Sequence, residues 1–234
     1  MKSKSLRIDI LTIFPGMIEP YVTSSILGRA QKEKRLVIKA HDLRKWTSDK
    51  HQKVDDRPFG GGPGMVMKVE PFDRALKSLK IGKRTRVILT SAKGKVFDQR
   101  AAKRLAKYDR LIFLCGRYEG VDERVAEHLA DEELSIGNYV MTGGELAALV
   151  MSDAVARLRP GVLGTSESLA MESHSEIGVL EYPQYTRPGI YPLSKKKSWK
   201  VPSILLSGDH KKIQEWRRKK SKDSLITPFL GATL

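Results

Sequence analysis

The stretch Leu134 to Gly164, LSIGNYVMTGGELAALVMSDAVARLRPGVLG, constrains the fold most, because a strand pattern, a glycine turn, a helix pattern and a rigid exit follow one another without a spacer. Ser135 to Met141 carries β-branched and aromatic residues of strand type, and Gly143-Gly144 breaks it. Glu145 to Leu158 holds helix formers without Gly or Pro until Pro160-Gly161 ends the run. Leu146, Ala147, Leu149, Val150, Met151, Ala154, Val155 and Leu158 make this helix apolar on most sides, which suits burial between layers or against another subunit. Its charges Glu145, Asp153 and Arg157 share a face, and an Asp153–Arg157 pair at i,i+4 is their plainest reading. The Gly143-Gly144 turn has two readings: a tight αβ turn, or exposed backbone N–H groups that a flat adenine-containing cofactor approaches.

The rest of the chain repeats this rhythm. Leu6 to Phe14 alternates around Arg7 and Asp9, then becomes continuously apolar, as a first strand entering a buried sheet does. Ser24 or Ser25 caps a short helix through Lys34, and Leu36 to Ala40 returns as a strand, a β-α-β unit. His41 to Gly64 is polar and rich in Gly and Pro, hence a long loop. Its Gly60-Gly61-Gly62-Pro63-Gly64 lacks the preceding strand of a dinucleotide fingerprint, and reads either as a flexible turn or as backbone that grips a phosphate or base. Pro71 to Leu79 suits a helix, Arg86 to Thr90 a strand, Ser91 to Val96 a turn, Gln99 to Ala106 a helix and Leu111 to Cys115 a strand opening into Gly116-Arg117-Tyr118-Glu119-Gly120. A helix follows near Glu123 to Leu129. Strand ends at Thr90, Cys115 and Met141 thus all meet glycine-bearing turns, and in a parallel sheet such ends converge on one edge, where ligands bind.

Beyond Gly164 the composition shifts. Thr165 to Ile177 is short, polar and acidic, a linker between a 1–164 domain and a 178–234 domain. Val179 to Pro192 packs prolines and tyrosines into an extended piece, Lys195 to Lys200 is basic around Trp199, and His210 to Lys220 forms a basic helix with Ile213 and Trp216 on its packing side. Cations mixed with aromatic rings suit RNA, although a solvated charged face accounts for many of the lysines. Lys and Arg total 43 against 27 acids, a formal charge of +16, so a polyanionic partner is expected, nucleic acid first. There is no run of 18 apolar residues and no signal-peptide pattern, so a cytoplasmic location without membrane association is expected. The single Cys115 reads as a buried small hydrophobe, and the scattered His41, His51, His128, His174 and His210 give no metal cluster.

Five linked motifs, FGGGPGMVM, CGRYEGVDERV, SIGNYVMTGGELAALV, RLRPGVLG and YPQYTRP, resemble the bacterial tRNA guanine-N1 methyltransferases from Ile8 to about Arg217. The resemblance implies methylation of N1 of guanosine-37, beside the anticodon, from S-adenosylmethionine. It further implies an α/β, SPOUT-type domain with a mostly parallel sheet and a deep trefoil knot, a small and mainly helical C-terminal domain that binds tRNA, and a homodimer whose subunits share sites. The methyl donor is then held by Leu89, Thr90 and Ser91, by Gly116, Tyr118 and Glu119, and by Ile136, Gly137, Tyr139, Met141, Gly143 and Gly144. Ala92-Lys93 replaces the Pro-Gln that the family often has there. Magnesium dependence is also a family expectation.

Guanine N1 carries a proton and attacks only once a base removes it, while charge grows on O6. By resemblance Arg157 is the donor to O6. The family's base is an aspartate, commonly in DSF, where this chain has Glu172-Ser173-His174. Glu172 is taken as the base, with His174 and Glu176 as substitutes, in a linker one residue longer than usual. Gly60, Gly61 and Gly62 are expected to hold the target nucleotide, Glu181 to contact it or its neighbour, and Tyr185, Thr186 and Arg187 to engage the anticodon arm. The competing readings are a noncatalytic RNA-binding protein of this fold and a SPOUT enzyme acting on another RNA position.

Overall fold

The structure, a computed structural model, describes residues 5–163, 173–174, 179–194 and 197–223. The chain divides into two compact units, Met1–Ser166 and Glu167–Leu234. Along the first unit come β1 (Leu6–Thr12), α1 (Glu19–Val22), α2 (Ser25–Lys32), β2 (Leu36–Asp42), β3 (Asp55–Asp56), β4 (Val66–Met67), α3 (Val69–Ser78), β5 (Thr85–Val96), α4 (Gln99–Leu105), β6 (Arg110–Cys115), α5 (Glu123–His128), β7 (Glu132–Ser135) and α6 (Glu145–Ala156).

Five strands form one sheet in the order β2-β1-β6-β5-β7, every neighbour parallel. The central strands are apolar on both faces because both faces are covered. Leu111, Phe113 and Cys115 of β6 point into a core shared with α2, α4 and α6, through Leu27, Ala102, Leu105 and Met151. Ile112 and Leu114, one residue out of phase, point into a second core with Phe72, Ala75 and Leu76 of α3 and Val125 of α5. The sheet is therefore the middle layer of three.

Parallel pairing sends the carboxyl ends of β5, β6 and β7 to one edge, as their glycine turns suggested. Two boundaries differ from the sequence reading. The third strand ends at Ser135, not Met141, because Ser135 Oγ donates to Gly137 O at 2.8 Å and accepts from Gly137 N at 3.2 Å, closing the chain into a turn at once. The following residues through Thr142 are loop despite their strand-like composition. Conversely, Ser91 to Val96 continues β5 as an irregularity, Thr90 and Lys95 both standing opposite Leu134. The long loop contains a 3-10 turn, Leu43–Trp46, and β3, which pairs antiparallel with β4.

The described residues of the second unit contain β8 (Ile190–Ser194) and β9 (Lys197–Lys200), an antiparallel pair, then a 3-10 turn at Ser203–Leu206 and α7 (His210–Asp223). Asp209 Oδ1 accepts from Lys212 N at 3.1 Å and so caps α7.

Candidate active site

A cavity of about 440 Å³ opens at the carboxyl ends of β5, β6 and β7. Every residue expected to hold the methyl donor lines it, from Leu89, Thr90 and Ser91 through Gly116, Tyr118 and Glu119 to the loop Ile136–Gly144. The volume suits a drug-sized ligand. Its floor exists only because a glycine precedes α6: a Cβ on Gly144 would stand 1.9 Å from Thr90 Oγ1 and 3.1 Å from Cys115 Cα. Gly144 N donates to Gly116 O at 3.0 Å, and Thr90 Oγ1 donates to Leu114 O at 3.1 Å, so the three strand ends are laced together under the cavity. Tyr118 and Tyr139, about half exposed, stand among the wall residues, with Lys93, Arg117, Glu119, Glu123 and Glu133 as the charges. Lys93 Nζ is tied to Glu123 Oε2 at 2.5 Å. Cys115 lies fully buried behind the wall, and burial pushes its thiol well up, which leaves it inert.

Beside the cavity sits a network that sequence reading missed. Glu145, at the first turn of α6, is buried, accepts from Thr12 Oγ1 at 2.6 Å and pairs with Arg117 Nε at 3.0 Å. Arg117 also donates to Thr142 O at 3.2 Å and lies over the Phe14 ring at 4.7 Å. One guanidinium thus joins the ends of β1 and β6 to the turn before α6. The readable signal was an acid placed directly after Gly-Gly on an otherwise apolar helix, since such a carboxylate faces the positive helix end and needs a cation. Asp153 accepts from Tyr21 OH at 2.7 Å. Away from the cavity lining, Asp9 on β1 is buried and gathers His41, Arg7 and Arg110 within 2.9 Å.

The glycine loop reaches the cavity through its second half. Gly64, at φ +77°, passes so close to Glu119 that a Cβ would meet its side chain at 2.5 Å. Glu119 N donates to Met65 O at 3.1 Å, Met67 N to Gly120 O at 2.9 Å and Asp122 N to Met67 O at 2.8 Å, stapling this loop to the cavity wall. Gly60, Gly61 and Gly62 project beyond, with nothing within 4 Å of a Cβ, next to a fully exposed Phe59.

Arg157, expected to be catalytic, is not part of this wall. Arg157 caps the far end of α6, its N–H donating to Asp153 O at 3.1 Å, roughly 20 Å along the helix axis from Gly144. Glu172 and Glu176 lie outside the described residues, as do most positions of the 165–177 linker. His174 is described and its N–H donates to Val179 O at 2.7 Å.

In the second unit, Glu181 Oε1 accepts from Gln184 Nε2 at 2.6 Å, and its backbone N–H donates to Ser173 Oγ at 2.9 Å. Tyr185, Thr186 and Arg187 line a separate cavity of about 600 Å³ together with Trp216 and Arg217. The Tyr185 and Trp216 rings are 6.3 Å apart, and Arg217 lies over Tyr182 at 4.9 Å. Among the described residues no helix is long and apolar enough to cross a membrane, and no group of His, Cys, Asp and Glu could hold a metal ion.

Comparison with known proteins agrees with this geometry. Residues 6–227 match the family model described as tRNA (Guanine-1)-methyltransferase TrmD. Relatives named tRNA (guanine-N(1)-)-methyltransferase include one from Thermomicrobium roseum, 53% identical over 91% of this chain and 78% of its own length. One from Chloroflexus aggregans is 52% identical over 91% and 82%, and one from Geotalea uraniireducens is 49% identical over 92% and 85%. With a cavity at the strand ends lined by the same linked motifs, and a match that spans nearly the whole chain, this protein belongs to the tRNA (guanine-1)-methyltransferase family.

Proposed function

We propose that this chain transfers the methyl group of S-adenosylmethionine to N1 of guanosine-37 in tRNA. The observation that carries the reading is the cavity built from three glycine-bearing strand ends in a chain of this family. The residues present fit the donor. The close approach of Gly144 to Thr90 leaves no room for a side chain at that turn, and Tyr118 and Tyr139 offer flat apolar faces to an adenine. When bound, the donor supplies an activated methyl on a sulfonium.

The chain's own groups supply the rest. Glu172 accepts the N1 proton, and Arg157 donates to O6 as charge develops there. The Gly60–Gly62 loop and Glu181 hold the flipped nucleotide, while Tyr185, Thr186, Arg187 and the basic α7 engage the anticodon arm, in a division into a 1–164 catalytic domain, a 165–177 linker and a 178–234 RNA-binding domain. The distance of Arg157 from the cavity along α6 supports a homodimer in which one subunit's Arg157 serves its partner's cavity. Leu146 and Val150, half exposed on the otherwise buried α6, supply an apolar face for that contact. The knotted passage of the chain and a cytoplasmic location belong to the same reading. The described residues offer no ligand group for magnesium, and no step is assigned to it.

The test is transfer of labelled methyl to unmodified tRNA with guanosines at positions 36 and 37, beside a copy changed only at position 37. Transfer to the first alone is expected. Binding of both without transfer would favour a noncatalytic RNA-binding protein, and transfer to both would favour another target position. Arg157→Ala and Glu172→Ala are each expected to reduce turnover at least ~100-fold while donor affinity, read by calorimetry, stays within a few-fold.

A further inference from the structure

The hairpin of β8 and β9 is exposed to an unusual degree for its composition. Every residue of β8 is exposed, with Ile190, Tyr191 and Leu193 at 57, 53 and 41%, and Trp199 on β9 stands at 64%. Tyr191 and Trp199 are directly opposed in the register and their rings are stacked, centroids 5.9 Å apart and planes 24° from parallel. Cross-strand stacking helps hold the hairpin, but it occupies one face of each ring and leaves the outer faces in water. Val201 N donates to Gly189 O at 2.9 Å, so the pair is fixed at its base.

The charge that the hairpin segment itself carries is of one sign. Residues 190–200, IYPLSKKKSWK, contain four lysines and no acid. Lys200 stands opposite Ile190, and Lys197 opposite Ser194. A partner must therefore combine negative charge with flat apolar faces, which a single-stranded nucleic acid does and a protein acid patch or a lipid headgroup does not.

We infer that the Tyr191–Trp199 pair is a stacking platform for an unpaired nucleobase of the RNA substrate, with Lys197 and Lys200 meeting the phosphates beside it. This inference rests on the tRNA reading above and adds a site just beyond the YPQYTRP segment, on the hairpin that follows it. Because the rings are already ordered by each other, a base adds a third layer without the cost of fixing a side chain.

The test measures tRNA affinity by filter binding. Trp199→Ala is expected to weaken tRNA binding ~10-fold, as loss of one stacked base does, with Trp199→Phe recovering most of it. Turnover at saturating tRNA and donor affinity stay unchanged in both. Lys200→Ala is expected to reduce the salt slope of tRNA binding by ~1. Ultraviolet crosslinking of wild-type protein to tRNA, mapped by mass spectrometry, is expected to place a nucleotide adduct on Tyr191 or Trp199, a readout that needs no variant to fold. Unchanged affinity in Trp199→Ala with adducts only elsewhere would overturn the platform. So would a Trp199→Ala effect confined to self-association in sedimentation. Wild-type methyl transfer run in parallel separates the two readings: transfer without a platform effect removes the platform alone, and no transfer removes the reading on which it rests.

Discussion

Gly144 does its work by what it lacks. The missing Cβ lets the first turn of α6 settle against Thr90 and Cys115. Gly144→Ala forces strand ends apart, so a loss of about 2 kcal/mol in urea unfolding is expected, with donor binding impaired beyond that loss. Asp9 shows a different economy. Burial would raise its carboxyl, but hydrogen bonds from His41, Arg7 and Arg110 outweigh that and hold it well below the usual carboxylate range. The folded state thus binds fewer protons than the unfolded one at low pH. The contribution is complete above about pH 4, the unfolded value, and is lost progressively as pH falls below it. Asp9→Asn is expected to cost about 3 kcal/mol at pH 7, the gap to wild type narrowing steadily as pH falls below about 4, as urea midpoints at each pH would record. Arg117 and Glu145 form the other buried pair, and neither was legible as a partner: they are separated by 28 residues, and only the sheet order brings the turn after β6 beneath α6.

At the level of elements, α6 was the most readable and also the most instructive. Its apolar surface in sequence fits burial on nearly every side, and Ala148, Met151, Ser152 and Val155 are indeed buried. Leu146 and Val150 stay half exposed, one turn apart, and this residue pair gives the proposed dimer its face. Val150→Arg places a charge there and is expected to convert a dimer to monomer in sedimentation equilibrium, and with it to abolish methyl transfer while donor binding persists. β7 was misjudged because composition does not end a strand. Ile136, Tyr139 and Val140 have strand character, yet the Ser135 side chain captures Gly137 and turns the chain. The residues freed from the sheet are the ones that line the cavity.

Across the whole molecule, charge and the division into two units set expectations for the RNA. A chain of formal charge +16 that contacts roughly six phosphates is expected to lose ~1,000-fold in tRNA affinity between 50 and 200 mM salt, which filter binding would measure. Strand identity, the buried faces of β6, the helix of α6 and the glycine turns follow from sequence, because period, propensity and glycine placement act within a few residues. The convergence of Thr90, Cys115 and Ser135 at one edge required the parallel order β2-β1-β6-β5-β7. Only the tertiary structure decided that Arg117 clamps Glu145, that Arg7, Arg110 and His41 gather on Asp9, and that Arg157 stands a helix length from the cavity it is proposed to serve. Each of these is a relation between residues far apart in the chain, fixed by how layers pack and not by any local preference.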